Sequence, residues 1–397
     1  MKNKMMLSSG AEYILATLRS SGYRADIVGG AVRDHLIGRP SYDYDITTAA
    51  TPSEVKSVFA SLRTIDTGIK HGTVTLVLTD GNYEITTWRV DGDYKDNRHP
   101  DTVTFTRSLE EDLARRDFTV NAMAYNPTDG YTDLYGGMSD LAEGVIRAVG
   151  DPNKRFDEDA LRIMRALRFA SVLGFKLDEA TSLAVNEKRH LLSNVSAERI
   201  YSELKRMLSS SGSYAVLGAY PAVIAEIIPE IEGFSLPDSS LFEGADYLSR
   251  LLSLFVGAPD PVSAYSAAMR RLKTDTDTRL IGERALALAL SHSISTPTEA
   301  LELLSVFGKR EADAALSLGL LVGRYTDTEA RIYSEALSSG IPYRISDLAV
   351  GGSDLMGLGL KGKAVGDALS ELLSTVMRGE CENEKGALLA LVRGKAR

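Results

Sequence analysis

Gly29-Gly30-Ala31-Val32-Arg33-Asp34 and the nearby Ser41-Tyr42-Asp43-Tyr44-Asp45-Ile46-Thr47-Thr48 form the stretch whose reading decides the fold. Before it, Arg24-Ala25-Asp26-Ile27-Val28 is strand-like; after the glycines, Ala31 to Ile37 predicts a short helix closed by Gly38. Glycines between a strand and a helix let a ligand come close to the backbone, and the first helical amides, with Arg33, would face an anion. If the segment around Asp43 and Asp45 is extended, both carboxylates project from one face, as residues i and i+2 of a strand do. Two such carboxylates can hold hard cations that keep substrate phosphates and waters in their shells. An isolated Asp-x-Asp is more often a solvated turn or a helix cap, and an isolated glycine pair an ordinary tight turn. Together they point to metal-assisted phosphoryl transfer on a nucleoside triphosphate.

Composition bounds the class. A chain of 397 residues, 44% hydrophobic, has room for two to four domains with sizeable cores. The lone cysteine, Cys381, excludes an intramolecular disulfide framework and fits a reducing compartment. Met1-Lys2-Asn3-Lys4-Met5-Met6-Leu7 is too short in apolar residues for a signal peptide, and Arg250, Pro259 and Pro261 interrupt the most apolar later region. The expectation is a soluble cytoplasmic protein with no membrane association. A formal net charge of −9 argues against nucleic-acid binding through a diffuse basic surface, so an RNA partner requires local patches. Candidates are Arg115-Arg116, Lys154-Arg155, Arg162 with Arg165 and Arg168, Lys205-Arg206, Arg270-Arg271 with Lys273, and Lys309-Arg310; any one of these is more often a solvated helix face.

Strands and short helices alternate from Tyr23 to about Val149. Thr73 to Thr79 puts Val74, Leu76 and Leu78 on one face, and Tyr83 to Thr87 follows Asp80-Gly81. Asp129-Gly130 predicts a hairpin between Met123 to Asn126 and Tyr131 to Leu134, and Thr51-Pro52 starts a helix. After Pro152 the pattern is almost wholly helical, with breaks near 209–213, 257–261, 293–297 and 351–352.

Four ordered blocks carry a resemblance: Gly29-Gly30-x-Val32-Arg33-Asp34 through Asp43-x-Asp45; Arg115-Arg116-Asp117-Phe118-Thr119-Val120-Asn121-Ala122; Glu158-Asp159-Ala160-Leu161-Arg162; and Gly352-Ser353-Asp354-Leu355-Met356 through Asn383-Glu384. In these the chain resembles the class II tRNA nucleotidyltransferase and bacterial poly(A) polymerase family, within the DNA polymerase beta superfamily, and most closely the CCA-adding enzymes. The resemblance implies an α+β fold: an α/β head with a mixed sheet, followed by all-helical neck, body and tail. The corresponding spans are residues 1–150, 151–210, 211–295 and 296–397. It implies addition of C, C and A to a tRNA 3′ end from CTP and ATP with Mg²⁺, and no obligate protein partner is inferred. Asp43 and Asp45 would be the metal ligands and Glu84 a third catalytic carboxylate, or else a solvated strand charge. Gly29, Gly30, Arg33, Arg116, Arg165 and Arg168 would surround the triphosphate, Asp117 would meet the ribose hydroxyl, and Asn121 would be a local structural partner. Relatives that add only CC or only A, poly(A) polymerases and an inactive RNA-binding module are the alternatives. A fused HD phosphohydrolase is disfavoured, because none of the five histidines precedes an aspartate.

Asp159 and Arg162, three apart on an expected helix, form either an intrahelical ion pair or a reader of base edges. Cytosine and adenine each present an amino donor beside a ring-nitrogen acceptor, whereas guanine and uracil present a carbonyl beside an N–H. A carboxylate only accepts and a guanidinium only donates, so the pair suits C and A. Arg165 and Arg168 continue the same row. Finally, Arg89-Val90-Asp91-Gly92-Asp93-Tyr94-Lys95-Asp96-Asn97-Arg98-His99-Pro100 predicts a polar, mobile loop. By resemblance, such a loop accompanies terminal A addition and is shortened in CC-only enzymes.

Overall fold

The computed structural model describes residues 4–41, 43–92, 103–231 and 233–395. It divides into two compact units, residues 1–227 and 228–397. The first opens with α1 (Ser9–Ser20), capped by the Ser8 hydroxyl and burying Ile14, Leu15 and Leu18. Then follow β1 (Ala25–Val28), α2 (Gly30–Leu36), β2 (Asp45–Thr48), α3 (Pro52–Val58), β3 (Arg63–Gly68), β4 (Thr73–Leu78) and β5 (Gly81–Thr87). Next come β6 (Arg89–Asp91), β7 (Val103–Phe105), α4 (Leu109–Ala114), β8 (Met123–Asn126), β9 (Gly130–Asp133), α5 (Gly137–Glu143) and β10 (Val145–Ile146).

Among the described residues one seven-stranded sheet runs in the order β3-β4-β5-β2-β1-β8-β9. Its β2–β5 pair is parallel and its other neighbours are antiparallel, so the expected mixed sheet is present. The central strands β1 and β8 are buried at every position, which their near-continuous apolar character anticipates. Thr51 and Glu54 form a capping box at the start of α3, giving the Thr51-Pro52 signal its physical basis. Val28, Trp88, Leu109, Leu113 and Ala124 pack together and seat α4 against the sheet.

The helical part of this unit contains α6 (Pro152–Glu158), α7 (Leu161–Leu173), α8 (Glu179–Lys188), α9 (Ala197–Leu208) and two further helices, Ser213–Ala219 and Pro221–Ile227. Two expectations need correction. Residues 89–91 are not loop: β6 pairs antiparallel with β7, Arg89 opposite Phe105, through a backbone ladder that a polar sequence does not advertise. The rest of the expected loop, residues 93–100, lies outside the described residues. Nor is the chain helical throughout after Pro152, because β11 (Lys176–Leu177) adds in parallel to β10.

The second unit is helical from Ser239–Gly244 to Lys385–Lys395 among its described residues. Leu301, Leu304, Leu355, Leu372, Leu373 and Leu388 belong to its core. The last motif block has a visible structural task there: Asn383 accepts from Ala349 N (2.8 Å) and donates to Asp347 O (3.0 Å), while Lys385 pairs with Asp354 at 2.6 Å. No helix among the described residues is long and apolar enough to cross a membrane.

Candidate active site

Strand pairing assembles the carboxylate end of the site. Val28, last residue of β1, lies opposite Asp45, first residue of β2, so the turn that follows Val28 returns beside Asp45. Gly29 in that turn has φ +72°, and a Cβ built on it would stand 3.5 Å from Arg116 Nη1 and 3.7 Å from Asp45 Oδ2. Gly29, Arg116 and Asp45 are therefore immediate neighbours. The clearance is ordinary, so glycine is required by the backbone angle. Gly29→Ala is expected to cost about 1–3 kcal/mol or to shift the turn, raising the KM for CTP. An unchanged melting temperature together with an unchanged KM would contradict this.

Asp43 lies just ahead of β2, outside the strand. Parallel pairing of Ile46 with Ile85 sets Glu84, exposed on β5, in the position matching Asp45 on the adjacent strand. Asp45 keeps an exposed surface, yet surrounding protein raises its carboxyl above the ordinary range. Asp43 and Glu84 add to that rise, and Arg116 opposes it. Among the described residues no three His, Cys, Asp or Glu side chains form a preformed metal cage.

A carboxylate missed by sequence reading holds Arg116. Asp112 on α4 is fully buried and accepts from Arg115 Nε (3.0 Å) and Nη2 (2.6 Å), Arg116 Nη2 (3.4 Å), Thr47 Oγ1 (3.2 Å) and Arg89 N (3.4 Å). Burial pushes its pKa up, but Arg115 and Arg116 outweigh that and leave it below the ordinary value. Its signal was the i,i+3 and i,i+4 spacing to those arginines.

The second half of the site is a cluster of arginines around one ring. The apolar side of α7 buries Ile163, Met164, Ala166, Leu167 and Ala170. The guanidiniums of Arg33, Arg165 and Arg168 lie 5.2, 5.3 and 3.9 Å from the centre of the Phe169 ring. Arg33 also donates to Asn121 Oδ1 (2.7 Å) and pairs with Asp34, and Arg168 pairs with buried Glu203 on α9. Arg165 meets Asp117 Oδ2 through Nε (2.9 Å) and Nη2 (2.5 Å), while Asp117 Oδ1 accepts from Phe118 N and Asn121 Nδ2. Burial raises the Asp117 pKa, but Arg165, Arg162 and Asn121 overcome it and hold the carboxyl at about 2. Both Asp117 oxygens are thus engaged within the protein. Asn121 is the local structural partner expected of it, and Phe169 and Glu203 had no distinguishing sequence signal.

The expected row along one helix is corrected at its first member. Asp159 is not helical: it caps the end of α6 with φ −138° and ψ 101°, and its Oδ1 accepts from Leu161 N at 3.1 Å. Such a side-chain-to-backbone bond competes with helix continuation, which is why α6 and α7 are separate. The side chains of Asp159 and Arg162 are not paired with each other, although Arg162 N donates to Asp159 O at 2.9 Å. Asp159 pairs with Arg199 of α9 at 3.1 Å; Arg162 pairs with Glu158 at 2.6 Å and donates to the Arg155 and Arg115 carbonyls. Arg162, Arg165 and Arg168 do share α7. Of the other basic patches, Arg155 pairs with Glu158, Arg271 with Glu230 and Lys309 with Asp313.

An α/β head with a glycine turn, an aspartate pair and converging arginines defines a nucleotidyltransferase class. Residues 25–147 match the family model described as poly A polymerase head domain. Residues 174–219 match the one described as probable RNA and SrmB-binding site of polymerase A. The chain is 34% identical to the CCA-adding enzyme of Enterococcus faecalis over 389 residues, 96% of this chain and 94% of that one. It is 37% identical to that of Lactobacillus helveticus, with 94% of each covered. Its fold is similar to the crystal structure of Bacillus stearothermophilus CCA-adding enzyme in complex with CTP: TM-score 0.75, 31% identity, 98% of this chain and 97% of that one. The chain belongs to the CCA-adding enzyme family, the tRNA nucleotidyltransferases.

Proposed function

We propose that this protein adds C, C and A to the 3′ end of tRNA, using CTP and ATP and releasing pyrophosphate. The observation that carries the reading is the convergence of Arg116 and Asp45 on the Gly29 turn, where Arg116 Nη1 and Asp45 Oδ2 lie 3.5 and 3.7 Å from a Cβ built on Gly29. Asp43 and Asp45 would hold Mg²⁺, which supplies positive charge to the transferring phosphoryl oxygens. Glu84 stands beside Asp45 on the neighbouring strand and is our candidate for accepting the primer hydroxyl proton. Gly30, Arg33, Arg116, Arg165 and Arg168 line the approach for a triphosphate. An incoming phosphate competes for Arg165 and so frees Asp117 to accept from a ribose 2′-hydroxyl; that exchange favours ribonucleotides. We assign residues 1–150 to a catalytic head, 151–210 to a neck, 211–295 to a body and 296–397 to a tail that meets tRNA. A cytoplasmic location follows from the tRNA substrate and fits the single Cys381.

Base choice falls to Asp159 and Arg162, whose acceptor-only and donor-only edges match C and A. Each unmatched buried polar group costs about 1–3 kcal/mol, so two per wrong base give discrimination of roughly a hundredfold or more. Asp159→Asn and Arg162→Ala are each expected to slow C and A addition while letting U and G in, with the metal site intact. Equal losses for all four nucleotides would make the pair structural. The function itself is tested by incubating tRNAs ending before CCA, before CA and before A with each nucleotide singly. Stepwise CMP, CMP and AMP addition is the expected pattern. Stopping after two cytidines, adding A alone, or running on with many adenosines would each assign the chain to a different relative, and no incorporation would leave an RNA-binding module.

A further inference from the structure

Asp159 and Arg162 carry opposite charges three residues apart, and Arg162 N donates to Asp159 O at 2.9 Å, so the two side chains leave the backbone from neighbouring positions. A base reader closed upon itself reads nothing. The structure keeps the two apart by giving each another partner. Arg162 is drawn to Glu158 (2.6 Å) and to the Arg155 and Arg115 carbonyls at 3.1 and 2.9 Å. Asp159 is drawn to Arg199, whose Nη2 lies 3.1 Å from Oδ2 and 3.5 Å from Oδ1. Both members of this pair are largely shielded, with side-chain exposures of 28% for Arg199 and 20% for Asp159. The other terminal nitrogen, Arg199 Nη1, is buried and has no hydrogen-bond partner among the described residues, so Asp159 is the acceptor that anchors the guanidinium. Asp159 sits in extended backbone between two helices, so its carboxylate is placed by what reaches it from the start of α7 and from α9. Leu161 N holds Oδ1 and Arg199 reaches across from α9 to hold Oδ2, leaving the remaining lone pairs of the carboxylate for a ligand.

We infer that Arg199 is a positioning residue for nucleotide selection: it holds the Asp159 carboxylate away from Arg162 and so keeps both open toward a base edge. The inference rests on the assignment of base choice to Asp159 and Arg162. Without Arg199, Asp159 swings to Arg162, the acceptor presented to the amino group of C or A is lost, and so is the penalty against U and G. A lysine retains the charge but lacks the fixed planar fork, and restores the arrangement only in part.

The test compares kcat/KM for single additions of CTP, UTP, ATP and GTP by the full-length enzyme on tRNA lacking its terminal nucleotides. Arg199→Ala is expected to lower the CTP-over-UTP ratio about tenfold or more, with Arg199→Lys between it and the parent. The double variant Asp159→Asn with Arg199→Ala should discriminate no worse than Asp159→Asn alone, since both changes remove one device. A purely structural role for Arg199 would lower all four rates together and leave the ratio in place. If both Arg199 variants keep the parent ratio within about twofold while Asp159→Asn loses it, the positioning role is overturned and the base-reading assignment stands. If Asp159→Asn itself keeps the ratio, the assignment fails and the positioning role falls with it. Should Arg199→Ala not fold, the lysine variant decides by the same ratio.

Discussion

Asp43→Ala and Asp45→Ala are each expected to abolish CMP and AMP incorporation alike, by about a thousandfold or more, because losing a ligand to an ion that carries developing charge removes several kcal/mol of transition-state stabilisation. The two nucleotides should suffer equally, since the carboxylates act on the phosphoryl group and not on the base. tRNA affinity should survive. Stability should survive as well, and for a reason visible in the site: Asp45 is held above the ordinary carboxylate range by its surroundings, then by Asp43 and Glu84. An acid whose folded pKa is raised destabilises the fold when ionised, so Asp45→Asn should melt no lower than the parent at neutral pH while being inactive. Retention of more than about a tenth of the rate in either alanine variant contradicts the metal-holding role. A large fall in melting temperature for Asp45→Asn contradicts the electrostatic account.

Asp117→Ala should have the largest effect on stability. It strands Arg165 and leaves Asn121 Nδ2 and Phe118 N without their acceptor, and breaking one side of a buried pair typically costs about 3–5 kcal/mol. The parent's acid sensitivity follows from the same group. Its folded pKa is lowered from 3.8 to about 2, so the stabilisation is fully present above the unfolded value and fades as pH falls through it toward the folded one. At about 1.4 kcal/mol per unit, the shift is worth about 2 kcal/mol, lost between roughly pH 5 and pH 2. Urea unfolding at pH 7 and pH 3, followed with a probe in residues 1–227, measures both effects. Asp117→Asn should flatten the pH dependence over that window. A variant that unfolds at the parent's midpoint, or a parent with no acid slope that Asp117→Asn removes, would show that the Arg165 pair does not brace the head against α7.

Local patterns made much of the head legible. The run before Gly29 became β1, the residues after it α2, Thr51-Pro52 a capped helix and Asp129-Gly130 the turn between β8 and β9. Each depends on backbone preferences spanning only a few residues. The β6–β7 ladder escaped because its partner strand is short and lies beyond a polar stretch. Asp112 was passed over for a different reason: an acidic residue in an acidic run looks solvated until it is known to be fully buried.

By itself the sequence determined the strand-to-helix glycine turn, the aspartate pair, the succession of head and helices, and a row of arginines at three-residue steps on α7. Only the tertiary structure decided how those charges are shared. Spacing paired Asp159 with Arg162, whereas packing of α9 against α7 brought Arg199 to Asp159 and Glu203 to Arg168, and the seating of α7 on the head gave Asp117 to Arg165. The physical reason is range. Helix and turn propensities act over one or two turns of chain, but a guanidinium or a carboxylate shielded from water must find its counterion wherever the fold brings one, and that partner is named by packing and not by proximity in sequence.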